Sequence, residues 1–242
     1  MTKLDALNKD RYFCSTFLKE IKEEGQLKLL NSKVVVVGAG GLGSHILPLL
    51  VSSGVGFISV IDDDVISISN LPRQTLFDEK DVGKKKANAA KRKLSKLNSG
   101  VIVKTHITRL NKSNASRLLK GFDIVIDATD NFETKFLIND VCVKNEIPFV
   151  CSGVSDFKGQ VMTYIPNESI DFKSLFSELP INIEQKYIDE DQGVYPPAVA
   201  VIGNIAASET IKYLIGNKSL LSKEMLIVDL LDYNFHKIKL VK

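Results

Sequence analysis

Short apolar runs alternate with longer segments of helical character along most of this chain. The runs predict strands at residues 33–37, 56–61, 101–107, 122–127 and 148–154, because they are too short for helices and rich in β-branched residues. A chain in which strands and helices alternate predicts a parallel, doubly wound sheet that binds ligands at the carboxyl ends of its strands.

The segments between these runs predict helices. The first, at residues 11–30, is amphipathic, and we expect this N-terminal arm (residues 1–31) to pack on the sheet or on a second subunit. The last, at residues 197–215, is almost wholly apolar. The others are predicted at residues 45–53, 113–119 and 132–145, and in an Ala/Lys-rich segment that ends near Leu97.

The pattern changes beyond the fifth strand. Residues 159–165 alternate apolar and polar positions, as an antiparallel strand does, and residues 225–241 indicate a hairpin that turns near Asp232 or Asn234. Residues 166–194 are polar and irregular, which predicts a long, flexible crossing loop. The predicted fold class is therefore α/β, with a Rossmann-like, doubly wound, mostly parallel sheet that antiparallel strands extend at the C-terminal end.

A glycine-rich turn follows the first strand. Gly38, Gly40 and Gly43 satisfy the pattern GxGxxG directly after four consecutive valines. Such glycines let the backbone turn tightly, approach a phosphate and pack the next helix against the strand. The turn alone favours a dinucleotide, so the choice of nucleotide depends on the rest of the chain.

Composition narrows the classes of function. The chain has 242 residues, 44% of them hydrophobic, which is enough to bury the core of a single α/β domain over residues 1–242. Its net charge of +3 is too balanced to indicate a nucleic-acid or membrane partner. The N-terminal residues carry no apolar signal segment, and no unbroken apolar run is long enough for a membrane span, so we expect a cytoplasmic protein.

Cysteine usage argues against two kinds of structural site. The three cysteines, Cys14, Cys142 and Cys151, include no CxxC pair. Neither a disulfide framework nor a structural zinc site of the usual kind is expected. Cys142 and Cys151 are interpreted as small buried hydrophobes.

Charged and amide side chains gather at the predicted strand ends or in the loops that follow them. Asp62 lies 19 residues beyond Gly43, at the distance where such folds place an acid against a ribose. Together the group suits a nucleoside triphosphate, with backbone amides for phosphate, cations for the charged tail and a carboxylate for magnesium. Besides Asp62, its members are Asn70, Arg73, Gln74, Lys86, Asp130 and Asn131.

Hydride transfer fits these residues less well. The three histidines, His45, His106 and His236, fall in predicted helices and strands rather than in strand-end loops, so a dehydrogenase would lack its proton donor. Each candidate also has a structural interpretation when taken alone. Lys86 is one of three adjacent lysines that can face water, and Asp130 can cap the helix after it.

Taken together, these motifs resemble the ThiF/MoeB/HesA family of adenylating enzymes, the prokaryotic relatives of ubiquitin-activating E1 enzymes. The resemblance spans nearly the whole chain, and the combination of motifs is far more specific than the glycine turn. The motifs are RY at 11–12, GQ at 25–26, GAGGLG at 38–43, DDD at 62–64, SNLPRQ at 69–74, DVG at 81–83 with Lys86, TDN at 129–131 and GQ at 159–160.

The resemblance implies an ATP-dependent adenylyltransferase. Its substrate would be the C-terminal Gly-Gly carboxylate of a small ubiquitin-like sulfur carrier of the ThiS or MoaD type. That carboxylate would become an acyl-adenylate with release of pyrophosphate, for thiamine or molybdopterin biosynthesis. No general base is needed, because a peptide carboxylate with a pKa of about 3.5 is already ionised at neutral pH.

The resemblance also assigns roles to individual residues, with ATP and Mg²⁺ as the expected cofactors. Asp130 would hold the magnesium, Arg73 and Lys86 would stabilise the phosphates, and Asp62 would bind the ribose hydroxyls. Arg73, Lys86 and Asp130 are thus the expected catalytic residues. The expected nucleotide-binding set is Gly38, Gly40, Gly41, Gly43, Asp62, Asp64, Ser69, Asn70, Arg73, Gln74, Lys86, Asp130 and Asn131.

The chain departs from the family pattern in two places. Cys14 stands where members often carry an arginine that reaches the neighbouring subunit's ATP site. Loss of such a contact costs about 2–4 kcal/mol at a transition state, so adenylation would be slow unless Arg11 or another cation substitutes. No cysteine follows Cys151, and residues 189–193 of the crossing loop read DEDQG, so covalent transfer on this chain is doubtful and no zinc is expected.

Other interpretations stay open from the sequence. The same fold can adenylate a ribosomal peptide or a tRNA-linked carboxylate, although the low net charge speaks against tRNA. A degenerate member can serve as a binding or scaffolding subunit, and an NAD-dependent oxidoreductase is the least favoured alternative. We also expect a homodimer, because residues 11–30 and 197–215 offer more apolar surface than one sheet face needs, unless both are ordinary core helices.

Overall fold

The computed structural model describes residues 3–176 and 193–240. Among these residues, eight strands form one sheet in the order β3-β2-β1-β4-β5-β6-β7-β8. The first five pair in parallel and β6, β7 and β8 pair antiparallel. The strands are β1 Lys33–Val37, β2 Phe57–Ile61, β3 Ile102–His106, β4 Ile124–Asp127, β5 Phe149–Ser155, β6 Lys158–Tyr164, β7 Glu224–Asp229 and β8 Asn234–Lys239.

Helices cover both faces of the parallel part of the sheet. They are α1 Ala6–Arg11, α2 Phe13–Thr16, α3 Lys22–Asn31, α4 Gly41–Ser52, α5 Lys86–Leu97, α6 Ala115–Leu119, α7 Phe132–Lys144, α8 Phe172–Phe176 and α9 Pro196–Ile215. Short 3₁₀ turns at Ile68–Asn70 and Glu79–Asp81 lie between β2 and α5.

Strand β1 separates two hydrophobic cores. Because side chains alternate across a strand, Val34 and Val36 join the core under α4, α5 and α9, whereas Val35 and Val37 join the core under α6 and α7. All four valines are at most 3% exposed. This two-sided burial explains the unbroken apolar run in the sequence, and it confirms the doubly wound, mostly parallel sheet.

The predicted strands and the C-terminal hairpin are confirmed to within two residues, and Asp232 lies in the hairpin turn. The first crossover helix begins earlier than predicted, at Gly41 rather than His45, because the glycine turn itself forms its first turn. Part of the predicted crossing loop is also helical, since α8 lies within it. Residues 177–192, and with them most of the DEDQG segment at 189–193, lie outside the described residues.

The prediction of one helix at residues 11–30 is wrong. The segment forms the end of α1, then α2 and α3, and the chain reverses at Lys22, whose φ is 51°. Phe13, Phe17 and Leu18 are 59, 74 and 53% exposed, so these three apolar positions do not face the core of this chain, whereas Ile21 packs against it.

Helix α9 packs in the interior against α4, β5, β6 and α3. It is long and apolar enough to cross a membrane by length and composition alone, but 56% of its apolar window is buried inside the fold. The sequence analysis predicts no segment long enough to span a membrane, because it considers only unbroken apolar runs. Its buried face, which includes Val199, Ile202 and Ala206, forms part of the core, so α9 provides less free apolar surface for a dimer than the sequence suggested.

Candidate functional site

A cavity of about 560 Å³ lies at the carboxyl ends of the parallel strands. The loops after β1, β2, β3 and β4 form its walls, as expected for a doubly wound sheet. The structure brings most of the predicted site residues together there: Gly38, Gly40, Gly41, Asp62, Asp64, Asn70, Arg73, Gln74, Lys86, Asp130 and Asn131. Gly43 and Ser69 do not line the cavity, and their roles are indirect.

Two glycines of the turn are required by close backbone approaches. Gly38 has a φ of 99°, and a β-carbon there would lie 2.6 Å from the carbonyl oxygen of Ala128. A β-carbon on Gly43 would collide with the carbonyl oxygen of Gly38. Gly43 therefore lets α4 pack directly on the end of β1, which brings the amino end of that helix to the cavity.

The amino end of α4 has features that suit an anion. Gly40 is the residue before the helix, and the first N–H groups of a helix lack acceptors within it. These groups, with the positive end of the helix dipole, suit a phosphate. A β-carbon on Gly41 would lie 2.9 Å from Val199, so this glycine lets α9 approach α4 closely beside the cavity.

Asp62 follows β2 and faces the glycine turn. Its Oδ2 accepts a hydrogen bond from the Ala39 N–H at 2.8 Å, and its Oδ1 accepts one from the Asp64 N–H at 2.9 Å. Burial raises the pKa of this carboxyl above its ordinary value, against the opposing effect of those N–H groups and of Lys86. The two backbone contacts fix the carboxylate at the position where the sequence placed a ribose acid.

Lys86 begins α5 and forms an ion pair inside the cavity wall. Its Nζ lies 2.7 Å from Asp64 Oδ2, and the side chain of Lys86 is only 7% exposed while that of Asp64 is 65% exposed. The backbone N–H of Lys86 also donates to the carbonyl oxygen of Asp64 at 3.0 Å. Lys86 therefore contributes a fixed positive charge that a mobile surface lysine would not.

The segment after β2 holds a second cation in place. In its 3₁₀ turn, Asn70 Oδ1 accepts the Ser67 N–H at 3.2 Å. Arg73 Nη1 donates to the carbonyl oxygen of Ser69 at 3.1 Å, so Ser69 acts through its backbone. Gln74 is 3% exposed, and its Oε1 has no hydrogen-bond partner among the described residues. A buried acceptor of this kind next to a cavity suits a polar ligand.

Asp130 and Asn131 follow β4. Asn131, not Asp130, caps α7, because Asn131 Oδ1 accepts the Thr134 N–H at 2.9 Å. Asp130 is exposed towards the cavity. Among the described residues no group of three or more His, Cys, Asp or Glu side chains is placed to hold a metal. Asp130 still suits Mg²⁺, because this ion is usually bound through one or two carboxylates together with substrate phosphates and water.

Sequence reasoning missed Arg109, which follows β3 and lines the cavity. Its guanidinium makes no hydrogen bond or ion pair with any part of the chain that the structure describes, whereas its carbonyl oxygen accepts a hydrogen bond from Asn114 Nδ2 at 2.9 Å. The only signal in the sequence was its position just after a strand, which Thr108 and Leu110 share.

Sequence reasoning also missed two further parts of the site. Three valines, Val154, Val194 and Val199, line one end of the cavity and make it apolar. Behind the Asp130 loop, Lys135 and Asp127 form a buried ion pair. These residues lie on four different elements and one loop, so no local pattern could have grouped them.

The N-terminal arm lies at the amino ends of the parallel strands, on the opposite side of the molecule from the cavity. Tyr12 is 4% exposed, and its hydroxyl accepts a hydrogen bond from Asn98 Nδ2 at 2.9 Å. It packs on Gly54, which precedes β2. Arg11 and the exposed Cys14 lie within two residues of this anchor, so neither can reach the cavity of the same chain. A shallower concavity of about 630 Å³ near Lys28 and Tyr213, also on this side, contains none of the predicted site residues.

Comparison with known proteins agrees with this geometry. Residues 14–242 match the model of the ThiF family. A SAMP-activating enzyme E1 from Haloferax volcanii is 38% identical over 97% of this chain and 86% of its own length. A sulfur carrier protein adenylyltransferase from Thermus thermophilus is 37% identical over 95% and 86%. For an adenylyltransferase and sulfurtransferase MOCS3 from Culex quinquefasciatus, with 39% identity, the chain spans only 55% of the relative.

Solved structures show the same fold. The structure of E. coli MccB with ATP has a TM-score of 0.85, with 26% identity over 100% of this chain and 73% of that one. MccB with AMPCPP and MccA has a TM-score of 0.87, with 26% identity over 98% and 72%. With the family model and these relatives in agreement, the chain belongs to the ThiF family, and it is an adenylyltransferase.

Proposed function

We propose that this protein uses ATP to adenylate the C-terminal carboxylate of a small ubiquitin-like sulfur carrier that ends in Gly-Gly, of the ThiS or MoaD type. Pyrophosphate is released, and the acyl-adenylate serves thiamine or molybdopterin biosynthesis. Relatives named for SAMP, for a sulfur carrier protein and for molybdopterin synthase support this substrate class. The cavity supports the use of ATP.

The observation that carries the proposal is the arrangement of charge in the cavity. Asp62, held by two backbone N–H groups, would accept the ribose hydroxyls. The amino end of α4, Arg73 and Lys86 provide positive potential for the triphosphate. The attacking carboxylate is already ionised, so these groups need only orient it against the α-phosphate and stabilise the developing charge.

Mg²⁺ belongs to this proposal as the partner of Asp130. When bound, the ion would neutralise charge on the phosphate oxygens and help to orient the departing pyrophosphate. The contribution of the chain is to present the Asp130 carboxylate in the loop after β4, in the wall of the cavity that the amino end of α4 also lines.

The apolar end of the cavity supports a glycine tail as the acceptor. Val154, Val194 and Val199 offer no hydrogen-bonding side chain to a polar terminal residue. An unbranched Gly-Gly end, which carries no polar side chain, suits this apolar lining.

A ribosomal peptide is the second candidate acceptor, because the solved MccB structures with MccA share this fold over nearly the whole chain. The valine-lined end disfavours a polar terminal side chain, since burying one without a partner is costly. The first candidate therefore stands ahead of the second.

An ATP–pyrophosphate exchange assay tests the proposal. The purified protein is incubated with labelled pyrophosphate, ATP, Mg²⁺ and each small carrier ending in Gly-Gly from the source organism. Exchange that requires the intact Gly-Gly end, and that Arg73→Ala reduces by at least about 100-fold, supports it. Exchange only with a peptide selects the second candidate, and tight ATP binding with no exchange would point to a binding subunit.

The proposed assembly is a homodimer. Each arm presents Phe13 and Phe17, both exposed and with ring centroids 4.7 Å apart, on the side of the molecule opposite its own cavity. Burial of these rings against a second copy would remove a large apolar area from water.

A further inference from the structure

A buried ion pair lies directly behind the cavity. Lys135 of α7 places its Nζ 3.0 Å from Asp127 Oδ2 at the end of β4, and the two side chains are 8 and 1% exposed. Lys135 Nζ also donates to the carbonyl oxygen of Ser152 on β5 at 2.6 Å, and Ser152 Oγ donates to the carbonyl oxygen of Asp127 at 3.0 Å. Three elements therefore meet at this pair.

The second oxygen of Asp127 holds the loop that carries Asp130. Asp127 Oδ1 accepts hydrogen bonds from the backbone N–H of Thr129 at 3.0 Å and from its hydroxyl at 2.6 Å. The preceding residue, Ala128, donates its N–H to the carbonyl oxygen of Val37 at 2.9 Å and presses on Gly38. The loop is thus fixed at two successive residues just before Asp130.

Stability alone does not account for this pair. A buried ion pair often contributes less than apolar side chains of the same volume would, because both charges lose their hydration. Burial acts to lower the pKa of Lys135, but the facing carboxylate of Asp127 outweighs this effect and the pKa is raised. The ammonium group therefore persists at neutral pH and can hold Asp127 in one orientation.

We propose that Lys135 and Asp127 are positioning residues that set the place of the Asp130 carboxylate. This inference rests on the proposed function of the same cavity. Neither side chain lines the cavity, so both act through Thr129. Their loss displaces Asp130 and weakens magnesium-dependent steps, whereas the ribose and glycine-turn contacts remain.

Two matched pairs of variants test the inference. Thr129→Val removes only the hydroxyl that donates to Asp127, whereas Thr129→Ser keeps a hydroxyl at this position. Lys135→Met removes the ammonium, and Lys135→Arg keeps a cation in its place. For Thr129→Val and Lys135→Met we expect the pyrophosphate-exchange rate to fall by about 10- to 100-fold, as for a displacement of about 1 Å, and the half-saturating Mg²⁺ concentration to rise several-fold. Thr129→Ser and Lys135→Arg should keep an exchange rate and a half-saturating Mg²⁺ concentration close to those of the unmodified protein.

A control separates positioning from simple loss of stability. Glu209 is 2% exposed and accepts hydrogen bonds from Thr163 Oγ1 and the Leu221 N–H, both at 2.7 Å, outside the cavity. Glu209→Gln should lower the melting temperature while leaving the Mg²⁺ dependence unchanged. If Lys135→Met does not fold, Thr129→Val carries the test, because it creates no unpaired charge.

The outcomes also separate this inference from the proposed function. If the unmodified protein catalyses no exchange with any carrier, the proposed function is wrong. Magnesium-dependent ATP binding, measured by calorimetry, then tests the inference with the same variants. The inference is overturned if Thr129→Val keeps the Mg²⁺ dependence of the unmodified protein, or if Lys135→Arg fails to differ from Lys135→Met.

Discussion

At the scale of single residues, the cavity is built from side chains whose neighbours fix them. Asp62 is held by two backbone N–H groups, Arg73 by a backbone carbonyl and Lys86 by Asp64. The sequence predicted these residues because each follows a strand and the carboxyl ends of parallel strands meet. It could not predict Lys135, because nothing local distinguishes a buried lysine on α7 from a surface one.

Arg109 is expected to contact the nucleotide base. Asp62 donates its N–H to the carbonyl oxygen of His106 at 3.1 Å, so the end of β3 lies beside Asp62. The base of a nucleotide whose ribose binds Asp62, as proposed, would extend towards this strand end. A guanidinium stacked on a base contributes about 1–2 kcal/mol, so Arg109→Ala should raise the KM for ATP by about 10-fold with little change in kcat.

The control for Arg109 is Arg117→Ala, which removes an exposed arginine of α6 outside the cavity. Arg109→Lys should recover only part of the effect, because lysine lacks the planar stacking surface. Equal KM values for Arg109→Ala and Arg117→Ala would contradict the predicted contact between Arg109 and the base.

The pH dependence of ATP use should report Asp62. Only the ionised carboxylate accepts two ribose hydroxyls, and burial raises its pKa, so protonation begins at a higher pH than for an ordinary aspartate. As the pH falls, kcat/KM for ATP should therefore begin to decline at a higher pH than it would with an ordinary aspartate at this position. Steady-state kinetics with saturating acceptor measure this acid limb, and Asp62→Asn, which cannot titrate, should lack it. An identical limb in that variant would assign the titration to another group.

At the scale of elements, the glycine turn shows how one motif serves two purposes. Gly43 permits helix packing, whereas Gly40 has only Gln74 Nε2 near its hypothetical β-carbon, at 3.6 Å. The sequence pattern treats both glycines alike, and only the packing of α4 on β1 separates their roles.

Gly43→Ala should destabilise the fold, because the new methyl group meets the carbonyl oxygen of Gly38. We expect a loss of about 1–3 kcal/mol in the free energy of unfolding, measured with denaturant. Gly40→Ala should leave the free energy of unfolding unchanged but raise the KM for ATP, since its methyl group occupies space beside the N–H groups that are proposed to bind phosphate. The opposite assignment of the two effects would contradict this division.

The predicted elements were most reliable where burial on both faces left an unbroken apolar run, as in β1. They failed at residues 11–30 because Phe13 and Phe17 have helical spacing but remain exposed, so their periodicity marks a surface rather than a core-facing stripe. The valine-lined end of the cavity could not be predicted either, because its residues come from β5, the loop before α9 and α9 itself, which are far apart in the sequence.

At the scale of the whole molecule, the cavity and the N-terminal arm lie at opposite ends of the parallel strands. The cavity lies at the carboxyl ends, and the arm, anchored through Tyr12, lies at the amino ends. A cation from the arm could therefore serve only a second copy of the chain, which links assembly to catalysis in the proposed homodimer.

The paired exposed rings of the arm should hold that homodimer together. Light scattering of the unmodified protein should give twice the mass of 26.8 kDa, and Phe13→Ser with Phe17→Ser should give a single chain because the rings lose their apolar contact. Phe235→Ser, which changes a 54% exposed ring on β8, is the matched control and should leave the dimer intact. A single-chain mass for the unmodified protein at all concentrations would overturn the expected assembly.

Lys86 forms an ion pair with the carboxylate of Asp64 in the cavity wall. An anion that binds this lysine must exchange for Asp64, so its gain is the difference between two attractions rather than the whole of one. A small, singly charged anion gains almost nothing from such an exchange. A polyphosphate that also contacts Arg73 and the amino end of α4 gains at several points at once. If Lys86 binds phosphate as proposed, this exchange disfavours simple anions relative to a triphosphate.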